Sequence, residues 1–233
     1  SAALAANAIV IGGGAGVASF GKEMVPRIDR RALMKRRSVV VYINNALAEP
    51  VKFARAISTD SPAATNKAFA LAQVMRASGM SCIVVSMGRG RQNGSWVCHR
   101  SILQKETHGA TLYCAFWHVP VLTHIATLLS LSSALLRLTR LRRSVSVLAY
   151  NRSYHYILAL FLARLRGAKV FLDLEDGYIY QDKGVLRILK NSATRWLFDR
   201  LCPSGAMVAT SALATQLRHS SPWVCYGVAM PVE

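Results

Sequence analysis

VSVLAYNRSYHYILALFLARLRGAKVFLDL, residues 145–174, is the stretch that decides the fold. Val145–Tyr150 is a short apolar run of the kind that builds a strand buried on both faces. Tyr154–Leu165 reads as a helix closed by Gly167, and Lys169–Leu174 as a second strand. Two strands with a helix between them make one parallel β-α-β unit. The rhythm continues in both directions. Towards the carboxyl end come a helix over Val185–Leu201, a strand over Met207–Ser211, a short helix over Ala212–Leu217, and Val224–Gly227. Towards the amino end lies a long apolar helix, Val121–Arg143, whose Arg137, Arg140, Arg142 and Arg143 suit the negative end of a helix dipole. Ala110–Phe116, Ser81–Ser86 and Val39–Asn44 read as further strands. Asn66–Ser78 reads as a helix with Ala68, Leu71, Ala72 and Met75 on one stripe. Thr65 or Asn66 would cap it and Gly79 would end it. Asn45–Thr65 and the polar Gly88–Gly94 read as loops. The whole predicts an α/β fold, a single Rossmann-like doubly wound parallel sheet with right-handed crossovers. Ligands of such sheets bind beyond the carboxyl ends of the strands.

Composition narrows the function classes. The chain has 233 residues, 52% of them hydrophobic and 17% charged, which excludes a disordered polymer. Lys and Arg number 29 against 11 acids, a formal charge of +18 that favours anionic partners. The charge is uneven. Between Asp60 and Asp173 the only acid is Glu106, and then Asp173, Glu175, Asp176 and Asp182 crowd together. This suggests a basic face beside an acidic site; the alternative is charge spread over solvated faces. The five cysteines form no CxxC pair and are odd in number, as expected of reduced thiols in a cytosolic protein. No metal-ligand spacing, Ser-His-Asp elbow or Walker loop is present, so no metal and no cofactor is expected in this chain. Nucleic acid is not the expected partner, because charge alone would have to support it.

The amino-terminal residues read differently. Ile9–Val17 looks like a strand running into a glycine-rich turn, but Val17 and Ser19 stand where a dinucleotide loop needs Gly or Ala. Met34-Lys35-Arg36-Arg37-Ser38 before Val39–Asn44 resembles a bacterial protein start. Residues 1–33 are therefore expected to be an extension outside the core, and 34–233 the domain. Val119–Leu136 has no Asp, Glu, Lys or Arg over 18 residues, near the lower limit for crossing a bilayer. Its Pro120, His124, Ser and Thr favour a buried or interface-lying helix with its arginine end on anionic head groups.

At the expected strand ends the side chains are mostly hydrogen-bonding, which suits a polyol or sugar. Glu175 and Asp176 form an adjacent acid pair fit to accept from hydroxyls or poise a base, hence candidate catalytic residues. The alternative is a loop pair bonded to nearby arginines. Thr65, Asn66 and Lys67 would open a helix whose free N–H groups hold a phosphate, or merely cap it. Asn151, Arg152 and Ser211 complete the ligand-binding candidates at these ends. His155 reads as a capping or surface residue, and His118 and His124 as core or rim.

These elements resemble the amino-terminal half of a GT-B glycosyltransferase. Leu148-Ala149-Tyr150-Asn151 and Leu172-Asp173-Leu174-Glu175-Asp176-Gly177 resemble the strand ends that face the interdomain cleft in the group-1, family-4-type retaining enzymes. Gly205–Ser211 with Leu213 is similar to their strand–Ser–Leu element, and Tyr226-Gly227-Val228 to the segment closing that domain. The resemblance implies an acceptor-binding domain for sugar transfer from a nucleotide-sugar to a lipid-linked or polysaccharide acceptor. It also implies a donor-binding domain beyond Glu233 or on a second chain, which would hold the nucleotide-sugar. Transfer would be of the hexosyl type once the two are paired. A cytoplasmic place, peripheral on the inner membrane face, goes with it. The glycine-rich loop usual after the first strand is absent here, with Ser58–Lys67 in its place. The histidine of many relatives is replaced by Asn151 or displaced to His155. The alternative is a non-catalytic basic α/β protein that binds anionic membrane or a partner chain.

Overall fold

A computed structural model of the chain describes residues 8–10, 39–92, 97–106, 109–117, 119, 122–141, 144–176, 185–217 and 223–224. Thirteen strands are described. They open with β1 (Ala8–Val10), β2 (Val39–Asn44), β3 (Ile57–Thr59), β4 (Ser81–Ser86) and β5 (Arg91–Gln92). β6 (Cys98–His99), β7 (Ile102–Glu106), β8 (Gly109–Tyr113) and β9 (Phe116–Trp117) follow. β10 (Val145–Tyr150), β11 (Lys169–Leu174), β12 (Ala206–Val208) and β13 (Trp223–Val224) complete the set. The helices are α1 (Glu49–Ala54), α2 (Pro62–Ala77), α3 (Leu122–Leu141), α4 (Ile157–Leu165), α5 (Val185–Leu201) and α6 (Ser211–Ala214).

The main sheet runs β1-β7-β8-β4-β2-β10-β11-β12-β13. β8 to β13 are mutually parallel, while β7 and β1 run antiparallel at one edge. The parallel part starts in the middle at β2 and moves outward through β4 to β8. The chain then returns to the other side of β2 and moves outward again through β10, β11, β12 and β13. This is the doubly wound order of a Rossmann-like fold, and the winding reverses between β2 and β10. The fold is α/β, as expected from the repeating strand–helix units.

Alternation along each strand assigns the two faces. Val41, Ile43, Val147, Ala149, Val170 and Leu172 pack with Leu131 and Leu135 of α3, Leu160 and Ala163 of α4 and Phe198 of α5. Tyr42, Val84 and Leu148 pack on the opposite side with Ala68 and Ala72 of α2. A third cluster, Leu47, Val51, Ile57 and Tyr113, seats α1. Burial of each such leucine or valine contributes about 1.5–3 kcal/mol. By length and composition Leu122–Arg140 is apolar enough to cross a bilayer, and 33% of that window is buried in the fold.

Several local expectations change. Asn45–Thr65 is not a plain loop, since it holds α1 and β3; elements of six and three residues are too short to leave a periodic signature. α2 starts at Pro62 rather than Asn66, with Ser61 as N-cap. Proline suits the first helical position because that position needs no N–H partner. Gly88–Gly94 includes β5, which pairs with β3. Between β4 and β8 the described residues form strands instead of a crossover helix. Phe116 belongs to a separate pair with β6. β12 is Ala206–Val208, and α6 starts at Ser211. Gly79 leaves α2 at φ +79°, the left-handed exit expected of it. Within residues 1–33, Ala8–Val10 lies on the sheet edge. The Gly12–Gly16 turn, Met34–Ser38, His118 and Tyr226–Val228 lie outside the described residues.

Candidate functional site

The crevice of a doubly wound sheet lies where the winding reverses, here at the carboxyl ends of β2 and β10. Asn44 ends β2 and is buried. Its Oδ1 accepts from the Ala46 amide at 2.9 Å, turning the chain, while its Nδ2 has no partner among the described residues. Two residues earlier, the Tyr42 hydroxyl donates to Asp173 Oδ2 at 2.5 Å. Asp173 is a fully buried acid among the apolar residues of Val170–Leu174. Such a charge persists only when paired and hydrogen-bonded. The second partner is Lys67 of α2, whose Nζ donates to Asp173 Oδ1 at 2.8 Å and also to Glu175. Burial, then Asp173, raises the Tyr42 phenol well above its usual range. Burial, then Asp176, Glu175 and Asp173, pushes Tyr150 up to about 12. Both phenols keep their protons at neutral pH.

Asn151 follows β10 with φ +54°, a left-handed conformation that asparagine tolerates better than most residues. Its amide donates to the Asp173 carbonyl at 2.7 Å. Its Oδ1 accepts from the amides of Glu175 at 2.8 Å and Asp176 at 3.0 Å. Its Nδ2 donates to Asp176 Oδ2 at 2.8 Å. One carboxamide therefore fixes the backbone and one carboxylate of the acid pair. Glu175 is half-buried and Asp176 exposed.

A basic cluster occupies the other side. Arg55, at the end of α1, is buried, and its guanidinium donates to the carbonyls of Gly88 at 2.5 Å, Cys114 at 3.1 Å and Arg100 at 2.9 Å. Burial lowers its pKa to about 10, so it remains charged. A Cβ at Gly88, which has φ +63°, would lie 2.3 Å from that guanidinium. The clamp fixes the turn that carries Arg89. Asn45 holds the same turn, donating to the Arg89 carbonyl at 2.8 Å and accepting from its amide at 3.3 Å. Arg89 Nη1 and Nη2 lie 3.1 and 3.2 Å from the two ring nitrogens of His155. His124 Nδ1 stands 3.0 Å from His155 Nε2, and the Tyr154 hydroxyl 2.8 Å from His124 Nδ1. Lys190 Nζ sits 4.3 Å above the Tyr154 ring. Burial, then Arg89, His124 and Lys190, drives His155 down to about 3, so this ring is neutral at physiological pH. Among the described residues, no carboxylate pairs with Arg89 or Lys190.

The candidates named from sequence divide accordingly. Asn151, Glu175 and Lys67 meet in one network with Asp173, and Asp176 joins it through Asn151. Thr65 does not open α2; its amide donates to Ser61 and its Oγ1 accepts from the Leu47 amide at 3.1 Å. Asn66 is exposed on the helix. Lys67 is not a solvated lysine at a helix start, because it is buried in its ion pairs. Arg152 turns inward, with Nη2 donating to the Gln216 carbonyl at 3.2 Å and lying 3.6 Å from Asp199 Oδ1. Ser211 is exposed at the start of α6, and Thr210 is the cap, accepting from the Leu213 amide at 3.3 Å. Asn151, Glu175 and Ser211 follow three neighbouring parallel strands, β10, β11 and β12, on one edge of the sheet. His155 is neither cap nor surface residue, since it is 2% exposed. Tyr42 and Arg55 escaped the sequence reading, and Arg89 was placed at a strand end without a partner; the lone acid inside KVFLDL was the available hint that a donor pair must lie opposite. Cys82, Cys114 and Cys202 are buried, and burial pushes each thiol up to about 12.

No family model matches the sequence, and no curated protein is similar to it. Among solved structures the chain is similar to the crystal structure of α,α-trehalose 6-phosphate synthase from Burkholderia multivorans, at 12% identity and a TM-score of 0.40. That likeness covers 77% of this chain and 41% of the synthase, so the chain spans less than half the synthase's length.

Proposed function

We propose that the crevice between β2 and β10 binds a sugar, as the acceptor-side half of a glycosyltransferase. The observation that carries this is Asn151, held in a left-handed conformation so that its carboxamide presents Glu175 and Asp176 at the strand ends. Backbone held in a sparsely populated region is a pointer to function when the surroundings over-determine it. Carboxylates and carboxamides suit hydroxyls, because each hydroxyl both donates and accepts. On the opposite side Arg89, with Lys190 nearby, would hold an anionic group such as a phosphate on the acceptor or donor.

Glu175 and Asp176 would accept hydrogen bonds from the sugar and orient the attacking hydroxyl. Asn66 and Ser211, both exposed, would add contacts at the rim. Lys67 and Arg152 would act through the groups they hold. The acceptor would be lipid-linked or a polysaccharide, and the nucleotide-sugar would sit on a second lobe, in the same chain or a partner.

The test joins this chain to a donor-binding lobe and follows release of the nucleoside diphosphate. Glu175→Ala and Asp176→Ala are expected to lower transfer tenfold or more while leaving the unfolding transition nearly in place. Unchanged transfer in both variants would remove the acid pair from the chemistry. Absence of any sugar binding or transfer would leave the non-catalytic, membrane- or partner-binding reading.

A further inference from the structure

The three helices on one face of the sheet form a layer, α3 against α4 and α4 against α5. Their inner stripes close the core. Their outer stripes are unusual. Ile125 and Leu129 of α3, Phe161 and Leu165 of α4, and Leu189 and Trp196 of α5 are between 46% and 68% exposed. Single exposed apolar residues are ordinary, but six large ones over three adjacent helices make a patch. Helix spacing aligns them: Ile125 and Leu129 are four apart, as are Phe161 and Leu165.

Charge says what would cover this patch. The three helices contain seven basic residues and one acid, Asp199. Asp199 has a side chain only 7% exposed and lies against Arg152. Arg137, Arg140, Arg164, Lys190 and Arg200 are exposed on the same layer. The Arg200 guanidinium lies 4.3 Å above the Trp196 ring, an indole and a cation sharing one surface spot. Apolar side chains set among cations with no exposed acid suit a bilayer interface: the first enter the acyl boundary and the second meet anionic head groups. A nucleic acid would use the cations and leave the leucines in water.

We infer that the outer face of α3–α5 is a docking surface for an anionic lipid bilayer. In a strand–helix–strand unit the helices run back against the strands, so the first turns of α3 and α5 lie at the carboxyl ends of the sheet. Ile125 and Leu189 are thus at the crevice end of the layer, and Leu165 and Trp196 towards the opposite end. The surface stands on exposure and charge, and does not depend on what the crevice binds.

The test is co-sedimentation of the full chain with vesicles of phosphatidylglycerol mixed with phosphatidylcholine, against pure phosphatidylcholine. Binding to the anionic vesicles is expected, with loss of tenfold or more on raising salt from 0.05 to 0.5 M, an estimate from screening of surface charge. Leu129→Glu with Phe161→Glu should lower binding tenfold or more, while Phe53→Glu on α1, more exposed still but off this layer, should not. Circular dichroism melts confirm that the exposed substitutions leave the fold intact. Failure to bind anionic vesicles, equal binding by the layer variant, or equal loss in Phe53→Glu would each overturn the inference. So would retention on a soluble polyanion such as heparin without retention on vesicles.

Discussion

Residues 151–156 separate two regions built on opposite electrostatic plans. On the acid side every charge has a partner: Asp173 has Tyr42 and Lys67, Glu175 has Lys67, and Asp176 has Asn151. On the basic side Arg89 meets a neutral His155, and Lys190 a tyrosine ring. The first region satisfies itself. The second gathers cations without a counter-charge among the described residues, held in place by backbone carbonyls at Arg55 and by Asn45 at the turn. Removing a buried member of the acid side, Lys67 or Asp173, should therefore harm stability, and removing a cation of the basic side should harm ligand capture.

The largest effect is expected at Lys67. Lys67→Met leaves Asp173 buried with the Tyr42 hydroxyl alone, and stability should fall by about 3–5 kcal/mol, the range for breaking a buried pair. Urea unfolding measures it, and a loss under about 1 kcal/mol would mean that the pair is solvated and the two plans do not differ.

Next comes His155. An unfolded histidine takes its proton near pH 6.5, and the folded one only near pH 3. Between those values the unfolded state binds more protons, so stability falls as the pH falls. The contribution approaches about 1.4 kcal/mol per pH unit over that window. His155→Gln should flatten the slope of unfolding free energy between pH 6 and 4 relative to the parent chain. Parallel slopes would place a water-accessible histidine there.

Asn151 sharpens the comparison further. Asn151→Ala loses the side-chain bonds and keeps the cost of φ +54°, whereas Asn151→Gly loses the bonds alone. Ala should therefore be less stable than Gly by about 1 kcal/mol. The reverse order would mean that the backbone relaxes. The smallest stability effect belongs to Asp176→Asn, within about 0.5 kcal/mol because the group is exposed, despite its expected weight in sugar binding.

Much of the architecture was legible before any coordinates. Val39–Asn44, Ser81–Ser86, Val145–Tyr150 and Lys169–Leu174 are all strands as read, because a buried parallel strand announces itself as a short apolar run. The acid pair and Asn151 were visible too, since they follow such runs directly. What stayed hidden depends on distance in the chain. Tyr42 and Asp173 are 131 residues apart, and Lys67 and Asp173 are 106 apart. Arg55 caps the end of a six-residue helix too short for periodicity, and nothing local says that its guanidinium is buried under Gly88. His155 was misplaced because burial of a polar residue after a strand depends on α3, whose His124 packs against it.

The most direct measurement is a map of backbone amide shifts in ¹⁵N-labelled protein titrated with a hexose 1-phosphate. We expect concerted, saturable shifts at Asn151, Glu175, Asp176 and Ser211 together with Arg89, because hydroxyls and phosphate would engage both sides of residues 151–156 at once. Shifts confined to one side, or none at millimolar ligand, would contradict a shared sugar-binding mouth.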